Sequence, residues 1–511
     1  MEVPERSVDR RQIWCIIIFR KLDHGDRRPT AGGAMSGISR TIVLLAAALL
    51  FPPDLTAGAP AVSVLGAEAG DTAFRPPEPG AAVETAPLSP GPARTEWLKA
   101  SALYSDGAYS SRAKGMMDTG APGLVMLQGF HWYADNYWYH PPQGWWGVLA
   151  DKAGEIGAAG FNLIWFPPVS QGSYYPKEWY NLDSQWGKGD ALRRAVREMH
   201  GSGVKVLADV VLNHRNGLRD WADFANPDWP TSVVVRNDEW PGSPKSAFDD
   251  EGEGDGGCRD LDHRDPAVRE DAKVFLRWLR NDIGFDGWRY DMVKGYPARY
   301  TGLYNDASDP DFSVGEYYDT DRQRLADWVD GTDASSGKAK ASTVFDFTTR
   351  YALVDAAESG RYGRLNDGGR PSGFIGWWPA KSVTFVENHD TSPRDPAFIQ
   401  NAPAGYRAQR LVGYAYILTH PGIPCVFWPH FFDWGPDYRA RLQALIDIRK
   451  AAGVTSVSRV SIAAASDELY AAVVEGKFRS VAVKLGRSLA WAPGPGWTLE
   501  ASGESYAVWT R

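Results

Sequence analysis

Past residue 120 the chain settles into a rhythm. Short, nearly unbroken apolar runs at residues 124–128, 161–166, 204–211, 285–291, 312–315, 343–347, 382–386 and 425–428 alternate with amphipathic stretches, among them 145–158, 188–202, 266–282, 406–419 and 438–452. Runs of the first kind read as strands covered on both faces, and the longer stretches read as helices. Parallel strands cannot be joined by hairpins, so each needs a crossover. Eight successive strand–helix units therefore predict an α/β fold, a (β/α)8 TIM barrel over residues 119–452. The third unit is irregular, with residues 214–262 rich in Gly, Asp, Asn and Pro. A loop that long in a compact domain is usually functional, and it is expected to be a small domain inserted after strand 3. After residue 452 the pattern switches to short β-branched runs at 468–474, 480–485 and 506–509, which predict a C-terminal antiparallel β domain over residues 453–511.

The first 118 residues follow other rules. An apolar stretch at 41–51 comes after Arg40 and before the small residues 57–61, the shape of a secretory signal. A transmembrane anchor is the rival, but it needs roughly 20 apolar residues and about half are present. Residues 1–60 are expected to be a signal or leader region, with Met35 an alternative start. Residues 61–118 are expected to be an Ala/Pro-rich linker and N-terminal extension, unstructured over 60–95. The protein is then expected to be secreted and, after signal removal, to have no membrane partner.

Composition narrows the partners. The 511 residues suffice for a large barrel and a smaller domain. Lys and Arg total 55 against 63 Asp and Glu, a net charge of −8. That balance disfavours nucleic acid and anionic membranes and suits a neutral substrate. With 22 Trp and 22 Tyr there are more flat rings than core packing usually needs, and some suit stacking on sugar faces. Cys15, Cys258 and Cys425 form no zinc-type spacing, no Cys258–Cys425 disulfide is expected, and Cys425 reads as a small buried residue.

Three carboxylates each sit just past a short apolar run: Asp291 ends Gly284-Phe285-Asp286-Gly287-Trp288-Arg289-Tyr290-Asp291, Glu316 ends Phe312-Ser313-Val314-Gly315-Glu316, and Asp390 ends Val383-Thr384-Phe385-Val386-Glu387-Asn388-His389-Asp390. In a barrel the residues at strand C-terminal ends line the active site. A proton donor, a nucleophile and a third carboxylate at one mouth are what cleavage of a glycosidic bond requires. Arg289 precedes Asp291 by two, so on a strand both point to one face and the guanidinium would pair with the carboxylate. A charged Asp291 would in turn raise the pKa of Glu316, which suits an acid.

Asp209-Val210-Val211-Leu212-Asn213-His214, Gly287-Trp288-Arg289-Tyr290-Asp291-Met292-Val293-Lys294, Val314-Gly315-Glu316-Tyr317 and Phe385-Val386-Glu387-Asn388-His389-Asp390 resemble, in order, the four ordered regions of the α-amylase family, glycoside hydrolase family 13. Gln128-Gly129-Phe130, Phe166-Pro167-Pro168-Val169-Ser170-Gln171 and Phe431-Phe432-Asp433-Trp434 extend the resemblance to plant-type α-amylases, with bacterial maltotetraose-forming amylases next; it covers residue 120 to the end. The resemblance implies Asp291 as nucleophile, Glu316 as acid/base, and Asp390 with His389 as the pair holding the −1 sugar. It implies substrate contacts from His214, Arg289 and Tyr174 (Tyr175 is the alternative), and from Lys294 toward the +1 and +2 sugars, unless that lysine is merely solvated. It also implies Ca2+, with Asn213 and the Gly295 carbonyl as ligands. The acidic run of the insert offers Asp249, Asp250 and Asp255 as further candidates, since Ca2+ takes several oxygens. Glu387 departs from the plant pattern, which carries Asp, and little effect is expected one strand position off the catalytic face. The expected protein is a monomeric, calcium-stabilised α-amylase cutting internal α-1,4 bonds of an α-glucan with retention. An exo-acting oligosaccharide-forming amylase or a transglycosylase is the alternative. A non-catalytic glucan-binding protein is the third reading, disfavoured by the complete set of carboxylates.

Overall fold

The computed structural model describes residues 91–109, 120–135, 141–333, 341–488 and 490–511. The leader and most of the linker, with Cys15, lie outside the described residues.

Eight parallel strands close on themselves in chain order: β1 (Met126–Gln128), β2 (Leu163–Pro168), β3 (Lys205–Val210), β4 (Gly287–Tyr290), β5 (Phe312–Gly315), β6 (Thr343–Phe345), β7 (Ser382–Phe385) and β8 (Ile423–Phe427), with β8 pairing back onto β1. Each expected strand is present. Apart from Lys205, at the start of β3, their residues are buried, which is why they read as unbroken apolar runs. The register sets Asp209 beside Arg289 and Arg289 beside Val314, so charged groups from β3 and β4 meet inside the barrel.

The outer ring includes α2 (Gly144–Ala158), α3 (Gly189–Gly201), α4 (Pro266–Trp278), α5 (Ala298–Ser308), α6 (Arg322–Asp333), α7 (Phe347–Ser359), α8 (Ala404–Thr419) and α9 (Pro436–Ala452). Ahead of the barrel, α1 (Pro92–Tyr104) starts on a proline, whose missing N–H costs nothing in a first turn. It is held to α4 by Arg277, which donates to the Tyr104 carbonyl at 2.6 Å and to Asp106 Oδ1 at 2.8 Å. The expectation of an unstructured segment through residue 95 is thus corrected at its end: these four residues begin a helix whose tail docks on the barrel.

The insert is closed at its base by a short antiparallel ladder, His214 opposite Asp260 and Arg215 opposite Arg259. Both arginines are fully buried. Arg215 donates to the carbonyls of Lys177 and Pro227 beneath the Trp229 ring, 4.7 Å away. Arg259 pairs with Asp238 at 2.6 Å and Glu239 at 2.8 Å. A buried charge survives only when paired this way.

The C-terminal sheet has five strands: β9 (Val460–Ser466), β10 (Leu469–Glu475), β11 (Ser480–Leu485), β12 (Thr498–Gly503) and β13 (Tyr506–Thr510), in the order β9-β10-β11-β13-β12. The sequence pattern marks the central three. The edge strands β9 and β12 are largely exposed and carry few large apolar side chains, so their hydrophobic signal is weak.

Candidate active site

Backbone hydrogen bonding runs one residue past the named strands, from Asp291 N–H to the Val210 carbonyl at 3.0 Å and from Glu316 N–H to the Tyr290 carbonyl at 2.9 Å. Both carboxylates therefore start at the C-terminal mouth of the barrel. They flank one guanidinium. Arg289 Nη1 donates to Asp291 Oδ1 at 2.5 Å and to Asp209 at 2.8 and 3.0 Å, while Nη2 lies 2.9 Å from Glu316 Oε1 as an ion pair. Arg289 is completely buried, with the Trp165 ring 4.7 Å from its guanidinium carbon. Asp209 also accepts from Trp165 Nε1 at 3.0 Å and from the Tyr174 hydroxyl at 2.9 Å. It is the brace that aims Arg289.

Burial pushes Glu316 well above the usual carboxylate range; the negative charges of Asp291 and Asp390 push the same way, against Arg289 and the Met292 N–H. That N–H reaches Glu316 Oε2 at 3.2 Å because Met292 adopts a left-handed backbone (φ 42°), a strained conformation of the kind found at functional sites.

Asp390 sits in a turn built by Asn388, whose Oδ1 accepts the Asp390 N–H at 3.1 Å and the Thr391 N–H at 2.9 Å. Arg394 holds Asp390 Oδ1 at 2.9 Å. His389 Nδ1 accepts from Gln128 Nε2 at 3.0 Å, so Nε2 carries the hydrogen and faces Asp390 at 3.4 Å. Burial pushes His389 down to about 3, and it is neutral. Its ring stacks on Tyr174 at 5.3 Å and 13°, with Trp132 packed against both rings. Tyr174 is presented by a tight turn in which a side chain on Gly172 (φ 93°) would strike the Tyr175 carbonyl at 2.3 Å. Of the two candidate tyrosines it is Tyr174 that joins the site; Tyr175 is exposed.

His214 donates Nε2–H to the Tyr174 carbonyl at 2.9 Å. Burial opposes its charge, but Asp255 and Asp291 outweigh this and raise its pKa. Lys294 is neither free nor solvated: its Nζ is 2.7 Å from Glu253 and 3.5 Å from Asp319, tying the insert to the segment after β5.

The expected metal ligands come together only in part. A side chain on Gly295 would sit 1.9 Å from Asn213 Oδ1, and one on Gly252 would sit 2.5 Å from the Gly295 carbonyl, so three segments converge on a small oxygen-lined cradle. Asp260 completes it, accepting from Asn213 Nδ2 at 3.3 Å; burial, with Asp250 and Asp238 nearby, pushes it up to about 7. A buried carboxylate in that state, beside an amide oxygen and a carbonyl, fits a hard dication. Asp250 lies close by: a side chain on Gly254 would sit 2.7 Å from Asp260 Oδ2 and 3.9 Å from Asp250 Oδ2. Asp249 does not: Arg236 binds both its oxygens, at 2.8 and 2.7 Å, on the exposed side of the insert. Asp255 turns its carboxylate elsewhere, to the Gly257 N–H at 3.1 Å and toward His214 Nδ1 at 3.9 Å.

Sequence reasoning passed over Asp209, Trp165, Gln128, Trp132 and Asp260. Asp209 and Gln128 did stand in the motifs quoted for the resemblance, and Asp209 is an acid within a largely apolar strand. Glu387, expected to matter little, is buried and binds Tyr406, Arg410 Nε (2.6 Å) and His430 Nε2 (3.1 Å).

Matches to known proteins agree with this geometry. The chain matches the model of the α-amylase catalytic domain over residues 144–349 and of the α-amylase C-terminal β-sheet domain over residues 451–510. It is 37% identical to a probable α-amylase 2 of Arabidopsis thaliana, covering 76% of this chain and 94% of that one. It is 32% identical to a glucan 1,4-α-maltotetraohydrolase of Stutzerimonas stutzeri, covering 71% and 68%. An α-amylase of Geobacillus thermoleovorans, solved with acarbose, shares the fold at a TM-score of 0.59 and 16% identity over 77% of this chain and 98% of that one. The barrel mouth with its bracketed carboxylates defines a glycoside hydrolase. The chain belongs to the α-amylase family, glycoside hydrolase family 13.

Proposed function

We propose that the protein hydrolyses internal α-1,4 bonds of a starch- or glycogen-type glucan with retention, Asp291 acting as nucleophile and Glu316 as acid/base. The observation that carries this is the single guanidinium between the two carboxylates. It makes them close neighbours, as a retaining pair at about 5–5.5 Å must be. Glu316, protonated above the ordinary carboxylate range, gives its proton to the leaving glycosidic oxygen. Asp291 attacks the anomeric carbon, forming a glycosyl ester. Glu316 then takes a proton from the water that cleaves the ester. Asp390 and the Nε2–H of neutral His389 hold the ring hydroxyls of the −1 glucose, and Tyr174 stacks beneath it. Lys294, held by Glu253, borders the leaving side.

Proton NMR of the first product tests retention: α-anomer is expected, and β-anomer formed first refutes the assignment. The likeness to a maltotetraohydrolase supports a second reading, exo attack releasing one oligosaccharide. Early products from amylose decide between them, mixed lengths for internal cleavage and one dominant oligomer for exo attack.

Asn213, Asp250, Asp260 and the Gly295 carbonyl would hold Ca2+, which would neutralise Asp260 and fasten the insert to the barrel. We read the protein as a secreted monomer. Among the described residues no helix is long and apolar enough to cross a membrane. Fractionation of culture medium and light scattering test these two points.

A further inference from the structure

Cys258 has no part in the chemistry above, yet it is buried, free and placed among ligands. Its Sγ, a ring nitrogen of His214 and a carboxylate oxygen of Asp255 all lie within 4.8 Å of one another. His214 Nδ1 and Asp255 Oδ1 are 3.9 Å apart. The other ring nitrogen of His214 gives its hydrogen to the Tyr174 carbonyl at 2.9 Å. That is the tautomer and support metal-bound histidines show, with the second N–H spent on a carbonyl and the first nitrogen left to ligate. The N–H of Gly257 fixes Asp255 Oδ2 at 3.1 Å and so orients Oδ1. Asn213 Nδ2, 3.3 Å from His214 Nδ1, is the contact a cation would displace. His214 enters and Cys258 leaves the insert at the ladder that closes its base, so the two are held together before any ligand arrives.

We propose that His214, Asp255 and Cys258 form a site for a thiophilic dication of the Zn2+ class, and that filling it inhibits glucan hydrolysis. Thiolate, imidazole and carboxylate are a zinc-type donor set, whereas Ca2+ takes oxygens. Three protein ligands leave the fourth position to water. Binding releases the Cys258 proton to solvent as the Sγ–metal bond forms. The inhibitory half rests on the reading of the active site given above. The dication sits on the His214 ring beside Asp291, where its charge opposes the positive charge that develops at the anomeric carbon.

Co2+ is the probe, added with Ca2+ in excess so that the oxygen cradle is filled. Wild type, Cys15→Ser and Cys425→Ala should show a thiolate-to-cobalt charge-transfer band in the near ultraviolet, displaced by Zn2+. Cys258→Ala and Cys258→Ser, checked for folding by circular dichroism, should lack it. Asp255→Ala should weaken Zn2+ at least tenfold. Zn2+ should slow amylose hydrolysis by wild type, and Cys258→Ala, which retains hydrolysis, should need at least tenfold more. No band in folded wild type, or a band that survives in Cys258→Ala, overturns the site whatever the activity. A band lost in Cys258→Ala with unchanged Zn2+ inhibition overturns the inhibitory role. Failure of wild type to cleave amylose would overturn the active-site reading and the inhibition resting on it, while the band would still decide the site.

Discussion

Arg289→Lys keeps one positive charge in the barrel mouth and removes the fork that distributes it. In the wild type, Nη1 serves Asp209 and Asp291 while Nη2 reaches Glu316. An ammonium is a single point and will settle on Asp209, its neighbour across the β3–β4 register. The ion pair with Glu316 and the hydrogen bond to Asp291 are then lost, and the hydrogen bond, being charge-assisted, is by itself worth roughly 1.5–3 kcal/mol. If the loss of that hydrogen bond falls wholly on the transition state, about 1.5–3 kcal/mol corresponds to a roughly 10–10²-fold lower kcat, at about 1.4 kcal/mol per tenfold. Because these contacts aim catalytic groups rather than grip glucose, KM should move only a few-fold. Arg289 also pulls the Glu316 pKa down, so the alkaline limb of the pH–rate profile should shift to higher pH. Steady-state kinetics on a chromogenic maltooligosaccharide, with a thermal melt to confirm folding, measure all three. A variant with kcat within about fivefold of wild type, or a defect confined to KM, refutes the argument.

Activity of the wild type should fall as pH rises through the elevated Glu316 pKa, and Glu316→Gln should lose about 10²–10⁴-fold in kcat, read from pH–rate profiles. Chelation should lower Tm in a pH-dependent way. In the metal-free protein Asp260, raised to about 7 in the fold, contributes stability below its unfolded value near 4 that is lost as pH rises to 7, so added Ca2+ should restore most Tm at pH 7 and above; a pH-independent calcium effect would count against the cradle. Gly295→Ala should mimic chelation, since its side chain would occupy the cradle against Asn213 Oδ1, and calorimetry should detect no tight Ca2+ binding. Glu387→Ala removes the buried partner of Arg410, leaves it only the more exposed Glu358 at 3.0 Å, and should destabilise by about 1–3 kcal/mol in denaturant titrations, with kcat nearly unchanged.

What the sequence determined by itself was the barrel, strand by strand, and the three carboxylates at its mouth. Both are local properties: a strand buried on both faces must be apolar along its length, and a residue just past such a run must emerge at the strand's end. The helix at Pro92–Tyr104 and the edge strands β9 and β12 lay beyond that signal, because their stability comes from docking and pairing rather than from an apolar run of their own. Tertiary structure alone decided the partners. Asp209 braces Arg289 because β3 and β4 meet in one register. Lys294 is claimed by Glu253, and Asp249 by Arg236. Asp260 takes a place in the oxygen cradle, while Asp255 faces His214 instead. Apart from the Asp209–Arg289 pair, these contacts arise as residues 214–262 fold on themselves and onto the barrel, and an acidic run read in one dimension does not say which of its carboxylates turns inward.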